Sequence, residues 1–213
     1  MTSAMGYGIQ GQGHGADQES GSGRTTMKEK VSLALDKRTW RPSPLLGQVV
    51  LVTSLNADGQ SNVAPKSWLS MMAFEPALLA LGCNLAHWTA QNVIDRHEFV
   101  VNIPGAELVE IVWKAHALSH PRPVERIGLT PLPAEKVKPP RIAECKAHLE
   151  CTLVQSLTFG SEVILLGQIV AASMDRDAIE AEDPYAYLRL FAFLEKNTFG
   201  VIERARRVRE RGI

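Results

Sequence analysis

Cysteine is scarce in this chain. Cys83, Cys145 and Cys151 are the whole complement in 213 residues, and an odd, sparse count does not describe a disulfide scaffold. An excess of charge of one sign is missing too. Lys plus Arg number 23 against 23 Asp plus Glu, whereas a general nucleic-acid binder carries a basic surplus. Arg204, Arg206, Arg207, Arg209 and Arg211 crowd the C-terminus, where such a run reads as a solvated face or tail. No apolar stretch approaches the roughly 20 residues that a membrane-crossing helix needs. The first residues lack the basic start and apolar segment of a secretory signal. Strand–helix alternation of the kind that builds a doubly wound parallel sheet is absent, as is any internal repeat. These absences predict a reduced, cytoplasmic protein with no nucleic-acid and no membrane partner.

What is present suits a folded domain, since 45% of the residues are hydrophobic. Residues 1–26, rich in Gly, Ser and Gln, bury too little to offset their ordering entropy and are expected to form a disordered tail. The domain is expected over 27–200, with a charged tail at 201–213. Gln48 to Leu55 reads QVVLVTSL, a β-branched run of strand length. Asn56–Gly59 carries turn chemistry, and Gln60 to Ala64 is the expected return strand. Further strands are predicted at Ala77–Cys83 and Glu98–Ile103, the latter stopped by Pro104. Ala147–Leu157 and Val163–Ser173 form another expected pair.

Thr89–Arg96 reads as a short helix with Thr89 as its N-cap. Leu108, Ile111, Val112, Ala115 and Leu118 recur at helical spacing and predict a helix over 106–118. Between 119 and 144 lies a long Pro-rich passage, of a kind that often serves as a functional cover. Pro184–Phe199 is aromatic and expected to be helical in part. Its Tyr185, Tyr187, Phe191, Phe193 and Phe199 form a cluster larger than a small barrel's surface normally exposes, which suits an isologous contact between subunits. Many short strands, hairpin turns and few helices predict a mainly β fold with helical additions. That fold would be an antiparallel barrel, whose closure removes exposed strand edges.

Cys145, His148 and Cys151 tempt a metal reading. Strand alternation would set the two thiols on one face and the imidazole on the other, and no fourth ligand follows at zinc spacing. They are read as packed side chains. His116 at a helix end and His120 at the start of the Pro-rich passage are read as surface or capping residues.

An ordered set of segments carries a resemblance. A VTS strand with a DG turn leads into Asn62-Val63-Ala64-Pro65-Lys66-Ser67-Trp68. Phe74-Glu75-Pro76, then Thr89-x-x-Asn92-Val93 and Glu98-Phe99-Val100-Val101-Asn102-Ile103-Pro104 follow. Gly128-Leu129-Thr130, Pro139-Pro140, Ala143-Glu144-Cys145 through Leu149-Glu150-Cys151, and Leu166-Gly167-Gln168-Ile169-Val170 complete it. Over about residues 40–175 the chain resembles the flavin-reductase-like FMN-binding split-barrel family, and within it the flavoredoxin-like branch. The resemblance implies a Greek-key-type split barrel that forms a homodimer, with FMN near the subunit interface. It implies oxidoreductase activity through non-covalently bound FMN, with NAD(P)H as a candidate electron donor and an electron-transfer partner or oxygenase component as a candidate partner.

By carry-over, Lys66, Ser67, Trp68, Leu69 and Ser70 would line the flavin ring or its phosphate, partly through backbone groups. Cys83 and Asn84 would stand beside the cofactor, and Thr89 and Asn92 at its phosphate end. The chemistry supports this placement. A phosphate is held where backbone N–H groups converge at a helix start, which Thr89 and Asn92 supply, and His87 or Lys66 could add a cationic donor. Thr89 also fits a plain cap, and Trp68 fits a buried core or interface residue as well as a ring-stacking one. Fixed backbone dipoles around Ser67–Ser70 suit the charge that develops when a flavin takes up a hydride. Nicotinamide-dependent members often carry Gly-Asp-His before the last barrel strand. Here the stretch reads Gly160-Ser161-Glu162, which favours a bound-FMN electron carrier or an enzyme with a different reductant. Three functions stay open: an FMN-dependent oxidoreductase, a non-catalytic flavoredoxin-like electron carrier docking a partner protein, and a split-barrel module without cofactor.

Overall fold

The run QVVLVTSL is apolar at successive positions because its strand is buried on both faces. Val50 and Val52 point into one hydrophobic cluster, and Val49 and Leu51 into a second, as the two-residue period of a strand requires. Such a strand reads as a continuous apolar run. The computed structural model describes residues 28–206 except Arg41. The expected N-terminal tail and residues 207–213 lie outside the described residues. Residues 28–35 carry no helix or strand, and residues 36–206 hold every regular element.

The strands are β1 (Gly47–Gln48), β2 (Val50–Leu55), β3 (Ser61–Lys66), β4 (Leu69–Phe74), β5 (Ala77–Asn84) and β6 (Glu98–Ile103). They continue as β7 (Pro131–Leu132), β8 (Arg141–Ile142), β9 (Ala147–Phe159), β10 (Glu162–Met174), β11 (Phe191–Glu195) and β12 (Thr198–Val201). The helices are α1 (Trp88–Arg96), α2 (Val109–Ala117), α3 (Arg176–Glu180) and α4 (Pro184–Leu188). Seven strands form one antiparallel sheet in the order β3-β2-β6-β9-β10-β5-β4. Its two edges are the sequence neighbours β3 and β4, so the sheet curls into a mainly β split barrel. The small sheet β1-β11-β12 stands beside it.

The first cluster fills the barrel interior, where α1 inserts Ala90 and Val93 among Leu79, Leu81, Phe99 and Leu165. The long β9–β10 hairpin bends at a register shift between Leu166 and Gly167. A Cβ at Gly167 would stand 2.5 Å from the Phe99 ring, so only glycine lets the bent strand approach that side chain. The second cluster covers the outer face of β2 with Val112 of α2, Val124, Leu129 and Ile142 of the Pro-rich passage, and Phe191.

The Pro-rich passage is therefore a strap fixed to the barrel. Thr53 Oγ1 donates to the Pro140 carbonyl, and the Ile142 N–H to Asn102 Oδ1 at 2.8 Å. The buried Glu150 carboxylate accepts the backbone N–H groups of Glu135 and Lys136, the latter at 2.6 Å. Two readings are corrected here. β9 begins at Ala147, so strand alternation does not reach Cys145. Cys145 packs in the outer cluster and Cys151 in the barrel interior, rather than on a common face. The aromatic C-terminal segment is helical only over Pro184–Leu188 and continues as the β11–β12 hairpin. Its Phe191 is 2% exposed and belongs to the core, and Phe193 and Phe199 are partly buried against the same cluster, so these three rings do not form an exposed patch.

Candidate functional site

A cavity of about 570 Å³ opens beside the ends of β3 and β5. The start of α1, one side of α2, the first residues of the strap and the β11–β12 hairpin complete its wall. Lys66, His87, His116, His120, Arg122 and Lys196 line it, and Glu162 is the single acid among the lining residues.

The polar end is built around the start of α1. Lys66 ends β3, and its Nζ lies 3.1 Å from His87 Nδ1. An ammonium only donates, so Nδ1 accepts and neutral His87 carries its proton on Nε2. His87 is the N-cap residue of α1 and makes no side-chain cap bond, which leaves the positive end of the helix open toward the cavity. Thr89 is therefore the second helical residue, not the N-cap. Its side chain is buried, and Oγ1 has no hydrogen-bond partner. An unpartnered buried hydroxyl in a cavity wall is costly and fits a ligand oxygen.

Beside it, Arg122 Nη2 lies 3.1 Å from His120 Nε2, and His120 Nδ1 lies 3.1 Å from Asn62 Oδ1. The guanidinium only donates, so His120 is the Nδ1–H tautomer and its Nδ1–H donates to Asn62 Oδ1. Trp88 stacks on this imidazole at 5.3 Å. Burial holds Lys66, His87, His120 and Arg122 each below its usual pKa. Neighbouring cations add to the effect: Arg122 on Lys66, Lys66 on His87, Arg122 on His120, and Arg126 on Arg122. The charge of a bound anion would oppose both effects, because it favours the charged forms. Burial pushes the Cys83 thiol up, against the opposing pull of Lys66.

Another part of the lining is aromatic. Phe193 and Phe199 meet edge to face at 5.8 Å, and Phe199 meets Trp113 at 6.2 Å. Val49 and Val112 lie on the same side of the lining, from β2's approach and α2.

Of the residues expected from sequence, Lys66, Ser67, Trp68, Cys83, Asn84, His87 and Thr89 line this cavity. Leu69 packs against the barrel interior, and Ser70 is exposed and donates to the Met71 carbonyl. Asn92 sits further along α1, where its amide donates to Ser54 Oγ at 3.1 Å and Asn56 Oδ1 at 2.9 Å. Those bonds tie α1 to the end of β2 beside a separate, smaller recess. Asn84 Nδ2 donates to Glu162 Oε1 at 3.2 Å, so the acid of Gly160-Ser161-Glu162 stands in the lining.

Trp88, Trp113, His116, His120, Arg122, Phe193, Lys196 and Phe199 were not expected there. His116 is an exposed residue in the last turn of α2, as expected, and also borders the cavity, whereas His120 is half-buried in its wall. One sequence signal pointed to α2: Trp113 and His116 are three residues apart, off the apolar stripe, and so share a second face.

Residues 44–190 match the family described as flavin reductase like domain. The chain belongs to this flavin-binding family. A protein of Pyrococcus abyssi is 26% identical over 149 residues, covering 70% of this chain and 86% of that one, and is uncharacterised. An uncharacterised protein of Archaeoglobus fulgidus is 35% identical over 111 residues, 51% of this chain and 63% of its own. Among solved structures, nitrilotriacetate monooxygenase component B from Bacillus cereus superposes with a TM-score of 0.76 at 22% identity, covering 85% of this chain and all of that one. Flavoredoxin from Methanosarcina acetivorans gives 0.73 at 20% identity, over 85% and 95% of the two chains. Both likenesses concern the split-barrel fold, which the family shares among oxidoreductases and flavoredoxins.

Proposed function

We propose that the cavity holds FMN and that the protein is an FMN-dependent oxidoreductase. The carrying observation is the unpartnered Thr89 hydroxyl beside the Lys66–His87 pair at the open start of α1. A dianionic phosphate fits there, since it accepts from several converging donors. Lys66, His87 and Thr89 would hold the phosphate, with Arg122 at its flank. Ser67, Trp68, Cys83 and Asn84 would flank the ring. Bound flavin supplies reversible two-electron chemistry. The chain contributes orientation, fixed N–H dipoles after β3, and a wall that excludes water. The neighbour from Thermus thermophilus described as an FMN-binding protein, with a TM-score of 0.71, agrees with this choice of flavin.

Glu162 favours a second reading. It stands in the lining where nicotinamide-dependent relatives are expected to carry histidine, and a carboxylate repels the phosphates of NAD(P)H. An electron carrier reduced by another protein, or acting with an oxygenase component, follows from that charge. In either case a homodimer is proposed. Exposed Met71, Met72 and Phe74 on edge strand β4, with Val154, Leu157 and Phe159 on the free half of β9, offer apolar surface for an isologous contact.

The test is a fluorescence titration of the flavin-free protein with FMN and with FAD. FMN is expected to bind at least about tenfold tighter, because the phosphate donors end at one helix start. Equal or tighter FAD binding refutes the site. NAD(P)H consumption with FMN bound separates the enzyme from the carrier.

A further inference from the structure

Much of the aromatic wall has no task in binding FMN at the polar end. Part of that wall comes from the β11–β12 hairpin, which begins one residue past the 44–190 match to the family. Phe193 and Phe199 come from this hairpin, and Trp113 of α2 joins them. Trp113 stacks on His116 at 5.9 Å and is still 40% exposed, so part of its ring surface is open to a ligand. Lys196 sits in the hairpin turn with φ 49 and lines the same cavity. Among the described residues it forms no ion pair. An aromatic floor with an ammonium at its edge matches a flat ring that carries one negative charge. A phosphate needs more converging donors, and those gather at the start of α1.

We infer that this end of the cavity is a second binding site, for an aromatic carboxylate. The ring lies on Trp113 and the Phe193–Phe199 pair, and the carboxylate meets Lys196. The inference rests on the FMN reading in one respect: the flavin ring stays with Ser67 and Cys83 and leaves the aromatic wall free.

The experiment titrates 2-naphthoate and its neutral counterpart, 2-naphthalenemethanol, by calorimetry into flavin-free and FMN-loaded protein. Wild type, Lys196→Asn and Trp113→Leu are compared. Asparagine tolerates the left-handed backbone at 196, and Trp113 is exposed enough that its loss spares the fold. Wild type loaded with FMN is expected to bind one naphthoate, about tenfold tighter than the alcohol. Lys196→Asn removes that preference and leaves FMN affinity unchanged, and Trp113→Leu weakens both ring compounds. Equal affinities in wild type, no naphthoate binding, or its loss once FMN is bound overturn the inference. The last outcome would assign the wall to the flavin ring. Failure of FMN itself to bind overturns the functional reading instead. The titration into flavin-free protein then decides the aromatic site alone.

Discussion

Replacing Thr89 by valine exchanges one buried hydroxyl for a methyl group of the same shape. The side chain is 1% exposed and its Oγ1 has no partner. A buried hydroxyl left unsatisfied costs about 1–3 kcal/mol, and Val and Thr have similar helix propensities. Flavin-free Thr89→Val is therefore expected to be about 1 kcal/mol more stable than wild type. In a chain of this size that raises Tm by about 2–4 °C. FMN affinity should move the other way. A hydrogen bond to a charged oxygen contributes about 1.5–3 kcal/mol, so its loss weakens binding at least about tenfold. Thermal unfolding without flavin and quenching of FMN fluorescence measure the two effects separately. Asn92→Ala supplies the contrast. It breaks two bonds that tie α1 to β2, and should lower stability without a specific loss of FMN. A Thr89→Val protein that is less stable and binds FMN as wild type does would refute the phosphate assignment.

Two more expectations concern assembly and pH. Phe74 is 91% exposed on edge strand β4, so Phe74→Glu should halve the mass seen by light scattering at micromolar concentration. Wild type that is already monomeric refutes the dimer, and a dimeric Phe74→Glu refutes this face. Burial holds His148 below its ordinary value of 6.5, against the opposing bond to the Ile142 carbonyl. The unfolded chain then takes up the proton first, so stability is full above 6.5 and falls as pH drops below it, by at most about 1.4 kcal/mol per pH unit for this group. Urea unfolding at pH 7.5 and 5.5 should show a smaller acid loss in His148→Gln, and an equal loss refutes the role of His148.

The elements set by local pattern were legible in the sequence. The apolar run of β2, its turn, the stop at Pro104 and the long β9–β10 pair stand where residue type and spacing put them. The start of α1 was not. Threonine before an apolar stretch suggests a cap, yet the chain sets the cap two residues earlier, at His87. The reason is tertiary: Lys66, far away in sequence, takes up the His87 ring, and Thr89 is committed to the cavity. The C-terminal aromatics misled in the same way. Their composition suggested an exposed patch, but Phe191 fills the space over β2 that the barrel leaves open.

The electrostatics of the site were hidden for a related reason. Net charge sums over the chain, and 23 of each sign give zero. The fold nevertheless gathers Lys66, His87, His116, His120, Arg122 and Lys196 around one cavity with only Glu162 to oppose them. These residues come from β3, the turn before α1, α2, the strap and the terminal hairpin, so no window of sequence contains the cluster. Each is unremarkable alone. Together, burial and mutual repulsion depress the pKa of Lys66, His87, His120 and Arg122. That is a penalty in the empty cavity and a source of affinity when an anion enters. The same assembly explains why the single acid matters. Glu162 is held by Asn84 at the end of β5, beside the place proposed for the flavin ring, so its charge bears on which electron donor can approach.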